Sequence, residues 1–395
     1  MGFYRWNQGW FYFSSCCSPR IDGSCLGKGQ LSKRFKKGTR TGFTTGACAA
    51  AAAAAASKAL TNNKTPKTIA TLLPNGQTVS FTVDSCNLGK NSATAVVIKD
   101  AGDDPDCTNG AHLTAKVEIV DDKPDSVTVH GGQGVGRITR IGVGLPVGAP
   151  AINPVPMANI IANVKQEGAK LLKNHGLRIT ISVPEGKMMA KKTLNHRLGI
   201  MDGISILGTG GIVYPYSTSA YKASIQQAVQ VASKTGCDAI VFTTGRRTER
   251  YAMEQKPNLP EYSFIQMGDF FAAAMESAKI NSIAHVVVAA MAGKLAKIGQ
   301  GMDNTHAHKN RLDMDRVAAL AKEAGGSTDI CDTIAKTITV RHAAELLKEQ
   351  GLEKEFYQLL VKDVAKSMST RLDKKVKIEV IAFGLSGTPL ANWEQ

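Results

Sequence analysis

The stretch GTRTGFTTGACAAAAAAAA, residues 38–56, joins a turn of small residues to the most helix-prone run in the chain. Ala49–Ala56 carry the highest intrinsic helix propensity, and Thr44 or Thr45 can cap that helix by accepting a backbone N–H bond. Gly46 lets a bound group come close to the backbone. The free amides and positive dipole end of such a helix attract anions, and Arg40 adds a full charge just upstream. An alanine surface admits a close-packed backbone or a flat ligand, and it equally makes a plain capped helix for burial in a core. Arg40, Thr44, Thr45 and Gly46 are therefore candidates for holding an anionic ligand.

Downstream, 68–73, 78–83, 93–99, 113–120 and 126–129 read as strands. Pro74-Asn75-Gly76-Gln77 is a strong hairpin signal, and Val79, Phe81 and Val83 alternate as one buried face should. Sequential antiparallel strands flanked by helices indicate an α+β domain over 37–156. Within it, Asp100, Asp103, Asp104 and Asp106 form an acidic loop that either lies solvated, binds a hard cation, or supplies a base with a raised pKa, for which Asp100 and Asp104 are the candidates. Gly131-Gly-Gln-Gly-Val-Gly136, followed by Arg137 and a Gly/Pro-rich run to Pro156, marks an ordered loop able to meet a ligand with its backbone, or an interdomain connection.

From Ala158 the period changes. Strands are expected at 178–183, 203–207, 238–243, 263–267, 284–290 and 376–383, alternating with helices, which predicts an α/β doubly wound, Rossmann-like domain over 157–395. Ligands of such sheets collect at the carboxyl ends of strands. Three expected strand ends run into unusual loops. These are Gly208-Thr209-Gly210-Gly211, then Thr244-Gly245-Arg246-Arg247, and Met291-Ala-Gly-Lys294. The glycines and Thr244 suit close contact with an adenosyl or phosphate group, while Arg246, Arg247 and Lys294 are donors for carboxylates. The chain has no GxxxxGK[ST], so an ATPase reading loses its main support. His306 and His308 stand two apart, a spacing that separates them on strand or helix, so a lone His306 acting as base or hydrogen-bond partner is preferred to a metal site.

The chain has 395 residues, 43% hydrophobic residues and a formal charge of +15, and residues 1–40 carry about +7 of it. Residues 1–36 read as a disordered leader or an overextended start. The remaining positive charge fits an acidic small ligand, and without an aromatic-basic platform a nucleic-acid partner is not expected. No run reaches the 18 or so apolar residues of a membrane span. The eight cysteines lack CxxC pairs or a repeating spacing, which indicates reduced thiols and a cytoplasmic protein.

Six blocks, RTGFTTGACAAAA at 40–52, KDAGDDPDCTNGA at 99–111, GGQGVGRIT at 131–139, PVGAPAINPVP at 146–156, RLGIMDGISILGTGGIVYPYS at 197–217 and AGKLAKIGQGMDNTH at 292–306, resemble the CbiD family in that order. The chain departs from the family pattern at Met157-Ala158 and at Gly301–Asp303. The resemblance implies methylation of C1 of cobalt-precorrin-5B, a polycarboxylate tetrapyrrole, with S-adenosylmethionine as donor, in anaerobic cobalamin synthesis. It implies no protein-bound metal, since the cobalt arrives inside the substrate. On this reading Asp100, Asp104 and His306 are the catalytic candidates and Gly208, Thr209, Gly210, Gly211, Thr244 and Gly245 lie nearest the adenosyl group. Arg40, Thr44, Thr45, Gly46, Arg137, Arg246, Arg247 and Lys294 would bind substrate. Oligomeric state is left open, and the competing reading is a nucleotide- or nicotinamide-dependent oxidoreductase acting on an acidic metabolite.

Overall fold

The computed structural model describes residues 38–120, 124–306 and 311–395, so the leader expected over 1–36 lies outside them. The fold is mixed α/β in two compact units, one running through Thr139 and again over Leu145–Ser217, the other comprising Arg140–Gly144 and Thr218–Gln395.

The first unit is built around helix α1 (Thr45–Asn62). Ala47–Ala56 are at most 1% exposed. A helix apolar on every side belongs inside a core, and side chains of one methyl let its neighbours approach closely. Strands β1 (Thr68–Leu72) and β2 (Thr78–Thr82) form the hairpin indicated by Asn75-Gly76, where Gly76 takes φ +85° and Leu73 N–H donates to Gln77 O at 2.8 Å. Then come β3 (Ser85–Leu88), β4 (Ser92–Ile98), β5 (His112–Val120) and β6 (Val127–Gly131), helix α2 (Pro154–Glu167) and β7 (Gly176–Ser182). The five-stranded sheet has the order β3-β4-β5-β7-β6, with β7 antiparallel to β5 and parallel to β6. Alternate residues of β4, β5 and β7, among them Val97, Leu113 and Ile179, share one core with α1 and with Ile160 and Val164 of α2.

Three expectations change here. The strand expected at 178–183 does not open the second domain: as β7 it sits inside the first sheet, because Leu177, Ile179 and Ile181 complete the face buried against α1. The stretch 203–207 makes isolated bridges, Ile204 to Val135 and Ile206 to Ile152, and belongs to the first unit as well. The division between units therefore falls at Ser217/Thr218, with 140–144 exchanged, and not at 156/157. In addition, the Gly/Pro-rich run ends earlier than expected, since Pro154 occupies the first turn of α2, where a missing N–H costs nothing.

The second unit contains α3 (Thr218–Lys234), β8 (Ile240–Thr243), α4 (Arg246–Gln255), β9 (Phe264–Gln266), α5 (Phe271–Ile280), β10 (His285–Met291) and α6 (Ala292–Gly299). Three further helices, Met314–Glu323, Thr328–Ala335 and Val340–Lys348, lead to α7 (Glu353–Ser369), β11 (Lys377–Phe383) and β12 (Pro389–Glu394). The sheet order is β9-β8-β10-β11-β12, parallel except for β12. Ile240, Phe242, Val288 and Val380 point into a core shared with α3, α5, α6 and α7, whereas Val241, Val287, Ala289 and Ile381 meet Tyr251 and Ala252 of α4. With both faces covered, the strands read as continuous apolar runs, which is why periodicity located them. The chain leaves β8 to one side through α4 and returns on its other side at β10, so the strand order reverses at β8.

Candidate functional site

In the first unit the start of α1 meets the glycine loop 208–211. Thr44 Oγ1 caps the helix by accepting from Ala47 N–H at 3.1 Å, Thr44 N–H donates to Gly211 O at 2.9 Å and Gly46 N–H to Leu207 O at 3.1 Å. Leu207 N–H donates to Thr45 Oγ1 at 2.9 Å, and Thr45 Oγ1 lies 3.1 Å from Ser205 O. The open anion site expected from Thr44, Thr45 and Gly46 is thus not formed: both threonines are buried, and the amides of Gly46 and Ala47 are spent on the protein itself. The glycines of the loop have the same explanation. A Cβ on Gly208 would lie 2.5 Å from the Thr44 side chain, and one on Gly211 would lie 3.2 Å from Leu73. Gly210 has only Asn75 Cβ at 3.9 Å, and Thr209 is exposed, so those two keep an open face.

Beside this junction the acidic loop is tied down residue by residue. Arg40 grips Asp100 with both terminal nitrogens, at 2.5 and 3.0 Å, and donates its backbone N–H to Asp103 at 2.8 Å. Asp104 accepts from Tyr216 N–H at 2.9 Å, and the buried Lys99 ammonium reaches Asp106 at 2.8 Å. The two carboxylates named as base candidates are pushed apart. The guanidinium bond from Arg40 holds Asp100 below the ordinary aspartate range, while burial raises Asp104.

Also in this unit, a cleft of about 610 Å³ opens along Gly131–Gly136, with His130, Arg137 and Lys187 in its walls and Lys187 paired to Asp202 at 3.0 Å. The glycines there serve chain packing too: a Cβ on Gly134 would fall 1.8 Å from Val183 O, and one on Gly203 would fall 2.2 Å from Gly134 O.

In the second unit the carboxyl ends of β8, β9 and β10 carry a second constellation. After β8 come Thr244 and Gly245, with Arg246 and Arg247 exposed on the first turn of α4. After β9 comes Asp269, which neither periodicity nor motif spacing singled out. Lys294, on the first turn of α6 after β10, donates to Asp269 Oδ1, and Thr305 Oγ1 donates to the same oxygen at 2.8 Å. Thr305 N–H bonds Asp269 O at 3.0 Å, and Lys297 Nζ bonds Thr305 O at 3.1 Å. Burial acts to raise Asp269, yet Lys294, Thr305 and the charge of His306 hold it below the ordinary range. Burial and the Lys294 charge lower Lys297. Lys294 and Thr305 are thus brought to one carboxylate, with His306 next in the chain, and the missed signal was Gly268-Asp269 directly after an apolar strand. The partner of the HxH spacing, His308, lies outside the described residues. Among the described residues no group of three or more His, Cys, Asp or Glu is placed to hold a metal ion.

The ends of these strands also leave room. Among the described residues, an added Cβ on Gly245 or on Gly293 would meet no atom within 4 Å, and Thr243 Oγ1 at the end of β8 is buried with no hydrogen-bond partner.

Fold and sites together define a two-unit mixed α/β protein with charged, glycine-bearing sites at loop and strand ends. The family model described as CbiD matches residues 32–215, and the model described as CbiD, C-terminal domain, matches 304–394. The chain belongs to the CbiD family. It is 48% identical over 369 residues to a Polaromonas sp. (strain JS666 / ATCC BAA-500) protein named cobalt-precorrin-5B C(1)-methyltransferase, covering 91% of this chain and 99% of that one. A protein of the same name from Dechloromonas aromatica (strain RCB) is 49% identical over 90% of this chain and 91% of its own. A crystal structure of a cobalamin biosynthesis protein (cbiD) from Archaeoglobus fulgidus aligns with TM-score 0.37 and 28% identity, over 73% of this chain and 85% of that chain.

Proposed function

We propose that this protein is a cobalt-precorrin-5B C1-methyltransferase, which methylates C1 of the macrocycle with S-adenosylmethionine to give cobalt-precorrin-6A in anaerobic cobalamin biosynthesis. One observation carries the proposal: identity near 48% extends over 91% of this chain and 99% of the length of a relative bearing that name, so the match takes in both units of this chain. The oxidoreductase alternative finds no such support.

When bound, the sulfonium donor supplies an electrophilic methyl group to a nucleophilic ring carbon, chemistry that depends on alignment more than on acid–base work. The carboxyl ends of β8 and β10 fit the donor, with Thr244 and Gly245 against its adenosyl group, which accords with a Rossmann-like, doubly wound reading of the second unit and the reversal of strand order at β8. Gly208–Gly211 is a weaker candidate for that role, because Gly208 and Gly211 are required by packing in the first unit. Each unit by itself offers solvent-exposed donors for acidic groups, Arg40 and Arg137 in the first and Arg246 and Arg247 in the second. Where a ring proton must leave, Asp104, raised by burial, is a better acceptor near neutral pH than Asp100, and His306 is the second candidate. No helix among the described residues is long and apolar enough to cross a membrane, in keeping with a cytoplasmic enzyme acting on a small polyacid.

The test is incubation of the purified chain with cobalt-precorrin-5B and S-adenosylmethionine carrying a ¹³C methyl group, under anaerobic conditions. The expected product bears one labelled methyl on C1, with one S-adenosylhomocysteine released per ring. Label at another carbon, or no turnover of either reactant, would overturn the assignment.

A further inference from the structure

At the reversal of strand order, Asp269 is held in a way that leaves half of its carboxylate for a ligand. Lys294 and Thr305 both donate to Oδ1, and among the described residues no bond is made to Oδ2. The side chain is 22% exposed, so a ligand can reach it. Lys294 offsets its charge and fixes its plane, which is the preorganisation a binding carboxylate requires. Asp269 also stands one β-α-β step after Gly245. In parallel sheets with a switch point, that is the position from which an acid accepts hydrogen bonds from the sugar hydroxyls of a nucleoside lying over the first strand end.

A carboxylate here also narrows the ligand. Its free oxygen accepts and cannot donate, so it complements a neutral diol, which brings O–H donors, better than an ionised acetate or propionate arm, which brings none. Gly245, in the loop after β8, and Gly293, in the first turn of α6 after β10, each meet no atom of the described residues within 4 Å at the position of an added Cβ, which leaves room for a flat group beside either.

We infer that Asp269 accepts the ribose hydroxyls of the methyl donor, with its adenosine lying over the end of β8 between Gly245 and Gly293. The inference rests on the reading of the donor as S-adenosylmethionine. Lys294 then serves as the positioning residue of that carboxylate, in place of the substrate-binding role given to it above.

The experiment is calorimetric titration of the full chain and of D269N with S-adenosylhomocysteine and with its 2′,3′-dideoxy analogue. A hydrogen bond to a charged group supports a discrimination of roughly 10- to 100-fold, so the wild type should bind the dideoxy analogue weaker by about that factor. D269N should bind both compounds equally, at the level of the wild type with the analogue, while its melting temperature verifies folding. Should D269N fail to fold, D269E keeps a charge for Lys294 but moves the carboxylate by one methylene, and it should lose the discrimination as well. A wild type that binds both compounds alike, or a folded variant that keeps full discrimination, overturns the assignment of Asp269 while leaving the donor in place. A wild type that binds neither compound removes the donor reading, and this inference with it.

Discussion

Lys294, on the first turn of α6, donates an ammonium N–H to Asp269, because the order β9-β8-β10 sets the residues that follow β9 and β10 on either side of β8. Lys294 is about two-thirds buried and Asp269 more so, which makes the pair worth more than a surface ion pair, on the order of 1–2 kcal/mol after screening at the exposed lysine. Asp269 is held below its ordinary pKa. A depressed carboxyl adds stability above its unfolded pKa, and that contribution disappears as pH falls through the folded value. K294M should therefore lower the unfolding free energy at pH 7 by about 1–2 kcal/mol, with the deficit closing below about pH 4. Urea unfolding at both pH values measures it, and a deficit independent of pH would show that the ammonium acts through packing alone.

Gly208 and Gly210 sit two residues apart in one loop but meet different surroundings. Gly208 has φ +127° and Thr44 atoms 2.5 Å from the position of a Cβ, whereas Gly210 has open space. G208A should destabilise the protein by roughly 2–4 kcal/mol, by combining backbone strain with a clash against the cap of α1, while G210A should stay within about 0.5 kcal/mol of wild type. Thermal melts of the two variants separate packing from ligand contact as the reason for the glycines. Equal melting temperatures would return Gly208 to the ligand.

What the sequence made legible is what local pattern controls. Asn75-Gly76 announced its hairpin through turn chemistry, and the second sheet announced itself through apolar runs bounded by polar loops. Pairing partners are not local, so nothing in 178–183 reveals that its apolar residues complete the face over α1 and not a strand of the second sheet. The loop 208–211 is ambiguous for a related reason: a glycine demanded by a neighbouring threonine, as Gly208 is, looks the same in sequence as one demanded by a ligand. Asp269 escaped notice because its meaning comes from Lys294 and Thr305, which reach it only in the folded chain.

Asp100 and Asp104 belong to one loop and should answer differently to replacement by asparagine. Arg40 lowers Asp100, so this group stays ionised across the working range and D100N should act through the anchorage of Arg40, raising KM for the acidic substrate several-fold. Burial raises Asp104, and a base must lose its proton to act, so kcat should fall on the acid side as Asp104 becomes protonated. D104N should lower kcat by about 10²-fold and abolish that acid limb. A pH profile of kcat for each variant decides. Retention of the acid limb in D104N would move the role of base to another group, with His306 the next to replace.

Glu379 lies fully buried on β11, with Lys256 Nζ at 2.8 Å, Asn392 Nδ2 at 3.4 Å and His285 Nε2 at 3.6 Å, the last beyond hydrogen-bond reach. Burial alone would raise the carboxyl, but the surrounding donors more than offset it, and the group is held below the ordinary glutamate range. The network joins the strand β11 to the end of α4, and truncating one partner of a buried pair leaves the other charge unmet. Lys256 keeps some solvent, which tempers the loss, so E379Q should cost about 2 kcal/mol at pH 7. Because the pKa is depressed, the wild-type advantage is complete above the ordinary glutamate range and fades as pH falls through the lower folded value. The gap between the unfolding curves of wild type and E379Q should accordingly be full at pH 7 and narrow steadily as pH falls below the ordinary glutamate range. Curves that stay parallel would mean that Glu379 holds β11 by shape and not by charge.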